Sequence, residues 1–168
     1  WRSALVVLNP KAPSGGFPVS DATIQDNIIE GFELGIVTGN APVNTLTVAG
    51  NIINDSEAYA LRLDQSGNLN VVSNNSFHNS GVAGVILNNQ TNFTFSGNVI
   101  STTTPVGLVL GAGQAGGTFT GNSFEAVNYY VQNQSASSFN ILGSAGNVFG
   151  GVNPASATLN QLFAIEDK

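Results

Sequence analysis

The acids of this chain gather towards its start: Asp21, Asp26, Glu30 and Glu33, then Asp55, Glu57 and Asp64. Hard oxygen ligands at neighbouring levels of a fold can hold Ca²⁺, which takes about six to eight of them. Asp26, Glu30, Asp55 and Glu57 form the candidate set. Their spacing matches neither an EF-hand loop nor a Gly/Asp-rich nonapeptide repeat, and scattered surface carboxylates are the plainer reading. Arg62 lies within Leu61-Arg62-Leu63, where alternation aims it outward. No Lys or second Arg accompanies it between residues 21 and 152, so it reads as a solubilising group and not a catalytic base. His78 is the single histidine and there is no cysteine, which leaves a dedicated transition-metal site or a Ser-His-Asp triad without partners. No catalytic residue is assigned. Asn-x-Ser/Thr occurs at Asn54, Asn74, Asn89, Asn92 and Asn133, as composition alone would produce.

The elements that carry these groups are set by an unusual composition. Of 168 residues only 8% are charged, against about 25% in an ordinary domain. There are 20 Gly and 22 Asn. Four basic residues (Arg2, Lys11, Arg62, Lys168) and a net charge of −6 leave little with which to neutralise phosphate, so nucleic acid is excluded as a partner. No apolar run approaches the roughly 20 residues of a membrane span. Disulfides are excluded by the lack of cysteine. Trp1 is an odd first residue, and the chain is expected to be a processed or excised piece of something longer.

A repeat governs the sequence. The segments DNIIEG, GNIIND, NNSFHN, GNVIST, GNSFEA and GNVFGG place Asn27, Asn51, Asn75, Asn98, Asn122 and Asn147 at steps of 24, 24, 23, 24 and 25 residues. Two residues after each Asn stands a large apolar residue: Ile29, Ile53, Phe77, Ile100, Phe124, Phe149. Three before it come Ile24, Val48, Val72, Phe95 and Phe119, with Ser144 breaking the row. The residue just before each Asn is Asp26, Gly50, Asn74, Gly97, Gly121 or Gly146, the types that best tolerate positive φ. A left-handed bend between two short strands follows. A third strand is read in Ala60–Leu63, Gly84–Leu87 and Gly107–Leu110, and polar turns such as 64–68 lead to the next copy.

One repeat cannot bury its apolar row alone; stacked repeats pair their strands at about 4.8 Å and bury a continuous column. The expected fold is all-β: a parallel β-solenoid of about six coils, 23–25 residues each, with three short strands per coil. The coil length and the Gly/Asp/Asn-Asn bends resemble right-handed parallel β-helix proteins of the pectate-lyase-like superfold, over about residues 20–150. The resemblance implies a right-handed coil. It also brings the sugar-acid lyases and hydrolases of that superfold into view, whose calcium ligands with a basic residue, or clustered carboxylates, are not reproduced here.

The six asparagines are assigned a structural role, because an amide that both donates and accepts can bond to its equivalents above and below. Outward positions in the strand before each Asn include Thr23, Thr47, Thr94, Thr118 and Thr120, a flat uncharged row and a possible binding face. Residues 1–20 read as an incomplete coil (strand 4–8) and a Pro/Gly-rich loop, residues 21–152 as the coils, and residues 153–168 as a cap or linker, either a short helix or a final strand.

The expectation for function is a non-enzymatic extracellular or cell-surface solenoid of bacterial or archaeal type. It would be a segment of a large adhesin-like protein, or a subunit stacking end to end into a filament. Its partners would be copies of itself or neighbouring domains, with no cofactor beyond a possible Ca²⁺. Two alternatives stand beside it. The first is a carbohydrate-binding or carbohydrate-active β-helix, although Tyr59, Tyr129 and Tyr130 form no row with the acids. The second is an ice-binding solenoid using the Thr/Ser face.

Overall fold

The structure is a computed structural model that describes residues 3–7, 18–39, 42–101, 106–125, 129–137, 139, 141, 146–150 and 165–167. Among these residues there is no helix; strands wind into a parallel β-solenoid. Three sheets run along its length. The first joins β3 (Thr23–Gln25), β7 (Thr47–Ala49), β11 (Val71–Ser73), β15 (Thr94–Ser96) and β18 (Thr118–Thr120). The second joins β4 (Ile28–Glu30), β8 (Ile52–Asn54), β12 (Ser76–His78), β16 (Val99–Ser101), β19 (Ser123–Glu125) and β21 (Val148–Phe149). The third joins β1 (Ser3–Val7), β5 (Leu34–Thr38), β9 (Tyr59–Leu63), β13 (Ala83–Leu87), β17 (Val106–Leu110), β20 (Tyr129–Asn133) and β22 (Ile165–Asp167). The described residues make about five full turns.

Every pairing is parallel and in the register of the repeat: Ile29 on Ile53, Ile53 on Phe77, Phe77 on Ile100, Ile100 on Phe124, Phe124 on Phe149. All six of these side chains are buried. Beside them run Ile24–Val48–Val72–Phe95–Phe119 from the first sheet and Ile36–Leu61–Val85–Leu108–Val131 from the third, also buried. The aromatic residues collect towards the C-terminal coils: Phe124 and Phe149 stack at 5.0 Å and 3°, and Phe93 and Phe119 meet edge to face at 5.4 Å. Ring stacking on a strand ladder needs equivalent positions one level apart, which the repeat supplies.

Two details differ from the sequence reading. The polar segment 64–68 is not wholly turn: β2 (Val19–Ser20) pairs with β6 (Val43–Asn44), and β10 (Gly67–Asn68) pairs with β14 (Gln90–Thr91). Two residues are too few to show alternation, so this fourth strand leaves no pattern. Positive φ also occurs at four places in the coil and not at one. Asp26, Gly50, Asn74, Gly97, Gly121 and Gly146 have it as expected; so do Asp21, Thr45, Leu69, Asn92 and Gly116, again Gly31, Asp55 and Asn79, and, after the third sheet, Asn89 and Gly113. Corners about five residues apart leave room for strands of three.

At the first strand, Ser3–Val7 begins one residue earlier than the 4–8 expected, and it pairs with β5 as the third strand of an incomplete coil. The loop 8–17, Ser144 and residues 151–164, with Leu159, Leu162 and Phe163, lie outside the described residues. Of the two forms considered for the last segment, residues 165–167 take the strand, on β20.

Candidate functional site

The Asn corner is built by the fold itself. The preceding residue turns the chain through the left-handed region, which drops each Asn side chain inside the coil. From Asn51 to Asn147 the rungs are 0–2% exposed; Asn27, at the open end, is exposed. The ladder runs one way. Asn51 Oδ1 accepts from the Asn27 backbone N–H at 3.1 Å and from Asn27 Nδ2 at 2.9 Å. The same pair of bonds, at 2.8–3.1 Å, links each later rung to the next, ending on Asn147 Oδ1. Each Nδ2 also reaches back to a first-sheet carbonyl: Asn51 to Ile24, Asn75 to Val48, Asn98 to Val72, Asn122 to Phe95, all at 2.9 Å, and Asn147 to Phe119 at 3.1 Å. Buried amides whose bonds are all consumed internally hold a corner; they do not present themselves to a substrate.

The bend residues in front of the ladder interlock. The Asp26 side chain lies over Gly50, and the Asn74 side chain over Gly97, so closely that a Cβ on either glycine would strike the oxygen. Asx in one coil and Gly in the next is a packing rule as much as a φ preference.

A second polar corner was legible only in part. Arg62, read as an isolated outward cation, donates from Nε to Asp64 Oδ2 at 2.6 Å, and its guanidinium lies 5.3 Å from the centroid of the Tyr59 ring. Asp64 Oδ1 accepts from Asn88 Nδ2 at 2.9 Å, and the Asp64 N–H donates to Thr38 Oγ1 at 3.0 Å. The missed signal was the i, i+2 spacing of Arg62 and Asp64, which puts both side chains on one side of an extended segment. Deeper in, Asn70, Gln90 and Gln114 are buried: Asn70 Nδ2 donates to Gln90 Oε1 at 2.7 Å, while Gln114 Oε1 has no partner.

The candidate calcium ligands are not brought together. The register pairs Glu30 with Asn54, whose Nδ2 donates to Glu30 Oε1 at 3.1 Å. Asp55 therefore stands over Gly31, one residue from the place expected over Glu30, and its Oδ1 accepts from Asn79 Nδ2 at 3.1 Å. Asp26 belongs to the bend, and Glu57 is exposed, its backbone N–H donating to the Phe32 carbonyl at 2.8 Å. Among the described residues no three of His, Asp and Glu form a group that could hold a metal. His78 lies on the outer side of β12 with Nε2 2.6 Å from Ser76 Oγ, between Asn54 and Ser101 in the sheet.

The flat face is in register: Thr23, Thr47, Val71, Thr94 and Thr118 form one row, and Gln25, Ala49, Ser73, Ser96 and Thr120 the next. Val71 interrupts the hydroxyls, and Thr118 Oγ1 donates to Thr94 Oγ1 at 3.4 Å.

Residues 17–153 match a family described as periplasmic copper-binding protein (NosD). The chain belongs to the NosD family. The match spans all the ladder rungs, so the repeat is the part of this NosD-family chain that the family shares. Comparison with curated proteins and with solved structures finds no match.

Proposed function

We propose that this chain is a structural, non-catalytic β-solenoid of an extracytoplasmic protein: a rigid spacer within a larger surface or adhesin-like assembly. One observation carries the reading. The six-rung ladder from Asn27 to Asn147 and the apolar column from Ile29 to Phe149 beside it run unbroken, so the regular part of the sequence is spent on making a stiff rod. The periplasmic description of the family supports an address outside the cytoplasm.

Copper does not fit this chain's donors. Copper favours thiolate, thioether and imidazole ligands. The sequence has no Cys, no Met and one His, and that His78 is hydrogen-bonded to Ser76 with Asn54 and Ser101 as its lateral neighbours.

Removing one coil from rung to rung, residues 75–97, tests the scaffold. A spacer stays folded, one level shorter, and keeps its place in the assembly. A panel of uronic and neutral polysaccharides, with and without Ca²⁺, should show no turnover. Turnover abolished by Asp55→Ala or Glu57→Ala would overturn the proposal.

Polysaccharide binding is the second reading, supported by the half-exposed Tyr59, Arg62, Asp64 and Asn88 grouped on one corner. An aromatic face beside planar polar groups suits a sugar ring.

A further inference from the structure

Two tyrosines of the third sheet stand in one row. A Cβ at Gly35, Gly84 or Gly107 would strike Ile53, Ile100 or Phe124 of the second sheet, so that position faces inward. The next position, held by Ile36, Leu61, Val85, Leu108 and Val131, is buried in the core. Two inward residues in succession leave the residues on either side of them facing out together. Tyr59 and Arg62 accordingly share the outer side, where the guanidinium lies 5.3 Å from the ring centroid. The register carries both positions along the rod: Tyr59, Ala83, Val106 and Tyr129 form one row, and Arg62, Ile86, Val109 and Gln132 the next.

The two ends of these rows are built alike. Beside Tyr59, Arg62 Nε donates to Asp64 Oδ2 at 2.6 Å. On the strand of Tyr129, which is 40% exposed, Gln134 Nε2 donates to Gln132 Oε1 at 3.0 Å. Residues 59, 62 and 64 occupy the same coil positions as 129, 132 and 134, three levels on. Three steps of about 4.8 Å set the tyrosines about 14 Å apart. Between them Ala83 and Val109 are buried and Ile86 and Val106 half-buried, a low aliphatic floor along the rod.

The chemistry of this trough selects its occupant. Arg62 is paired with Asp64 and the chain carries a net charge of −6, so a polyanion gains nothing here. Each third-sheet strand from β5 to β20 is paired on both sides, so no backbone edge is open to a peptide strand. Two rows about 14 Å long offer far less than the roughly 800 Å² that each side of a stable protein interface buries. A chain of sugar rings fits: its C–H faces meet the tyrosines and the aliphatic floor, and its hydroxyls meet the planar polar groups. The Arg62 Nη groups, which make no hydrogen bond among the described residues, are donors for those hydroxyls. We propose that the third sheet holds a neutral, extended polysaccharide along the rod, gripped at two subsites, Tyr59–Arg62 and Tyr129–Gln132. The proposal rests on the second reading above and extends it from one corner to a site with two ends.

Isothermal titration calorimetry of the full chain tests it with the dimers and hexamers of cellulose, mannan and xylan, and with the galacturonate hexamer. At least one neutral hexamer should bind at least about tenfold tighter than its dimer, because engaging one subsite holds the chain over the other. Tyr129→Ala should bring that hexamer to within about twofold of the dimer, and Tyr59→Ala should do the same from the other end. Tyr129 lies on the outer surface, and an unchanged β-sheet circular dichroism spectrum verifies each variant. Arg62→Met replaces Tyr59→Ala if that spectrum is lost. A hexamer no tighter than its dimer, or one indifferent to Tyr129→Ala, overturns the two-ended site and leaves the single corner standing. Failure of every sugar to bind overturns the site and the second reading together. Tighter binding of the galacturonate hexamer than of the neutral ones overturns the proposal. So does a dimer of the natural chain in sedimentation velocity that Tyr129→Ala dissolves, since a second copy would then be the occupant.

Discussion

The coil has two amide-rich corners, and they are built on different terms. At the Asn27–Asn147 corner one residue type recurs at every level and each link repeats the same two bonds. At the other corner Asn70, Gln90 and Gln114 differ in type and reach, and Gln114 Oε1 is left without a partner. The left-handed bends follow the same divide. The ladder corner uses Asp, Asn and Gly throughout, whereas the corner before the first sheet places Thr45 and Leu69 at positive φ. Uniformity lets each buried amide satisfy its neighbour; a mixed column satisfies itself only level by level.

That contrast can be broken first at its strong side. Asn75→Leu removes the acceptor for the Asn51 N–H and Nδ2 and strands the Val48 carbonyl. Orphaned buried polar groups cost about 1–3 kcal/mol each, so denaturant unfolding should register a loss of at least about 3 kcal/mol. Gly97→Ala, at φ +62 and against the Asn74 side chain, should lose about 1–2 kcal/mol, part of it recovered in Asn74→Gly/Gly97→Ala if the interlock is the cause. On the irregular side the signs change. Leu69 is 54% exposed at φ +58, and Leu69→Asn should raise stability by about 0.5–1 kcal/mol in the same measurement. Gln114→Leu gives up the bond to the Leu87 carbonyl but also an unpaired oxygen, and should change stability by less than about 1 kcal/mol. Thr94→Lys, on neither corner, should move stability by less than about 0.5 kcal/mol. It should also leave thermal hysteresis unchanged, and a change there would favour the ice-binding alternative.

The same contrast explains what could be read in advance. Asn, a bend former before it and Ile or Phe after it recur at near-constant spacing because the ladder corner tolerates few substitutes, so the fold, the buried column and the register of the Thr row were legible. The other corners follow equally strict backbone geometry, but Asp21, Thr45, Leu69, Asn92 and Gly116 share no side-chain chemistry, and the two-residue strands beside them are too short to alternate. Asp64 as the partner of Arg62 was open to a strand-period reading. The place of Asp55 over Gly31 was legible too, because the 24-residue step from Asn27 to Asn51 carries residue 31 onto residue 55.

The Asn side chains also give the rod an electrical direction. An amide is a dipole, and the five linked pairs all point their carbonyl oxygens towards the Asn27 end and their N–H groups towards the Asn147 end. Aligned dipoles add, as peptide units do along a helix. In a chain with so few formal charges, that column lends partial negative character to the Asn27 end of the ladder and partial positive character to the Asn147 end.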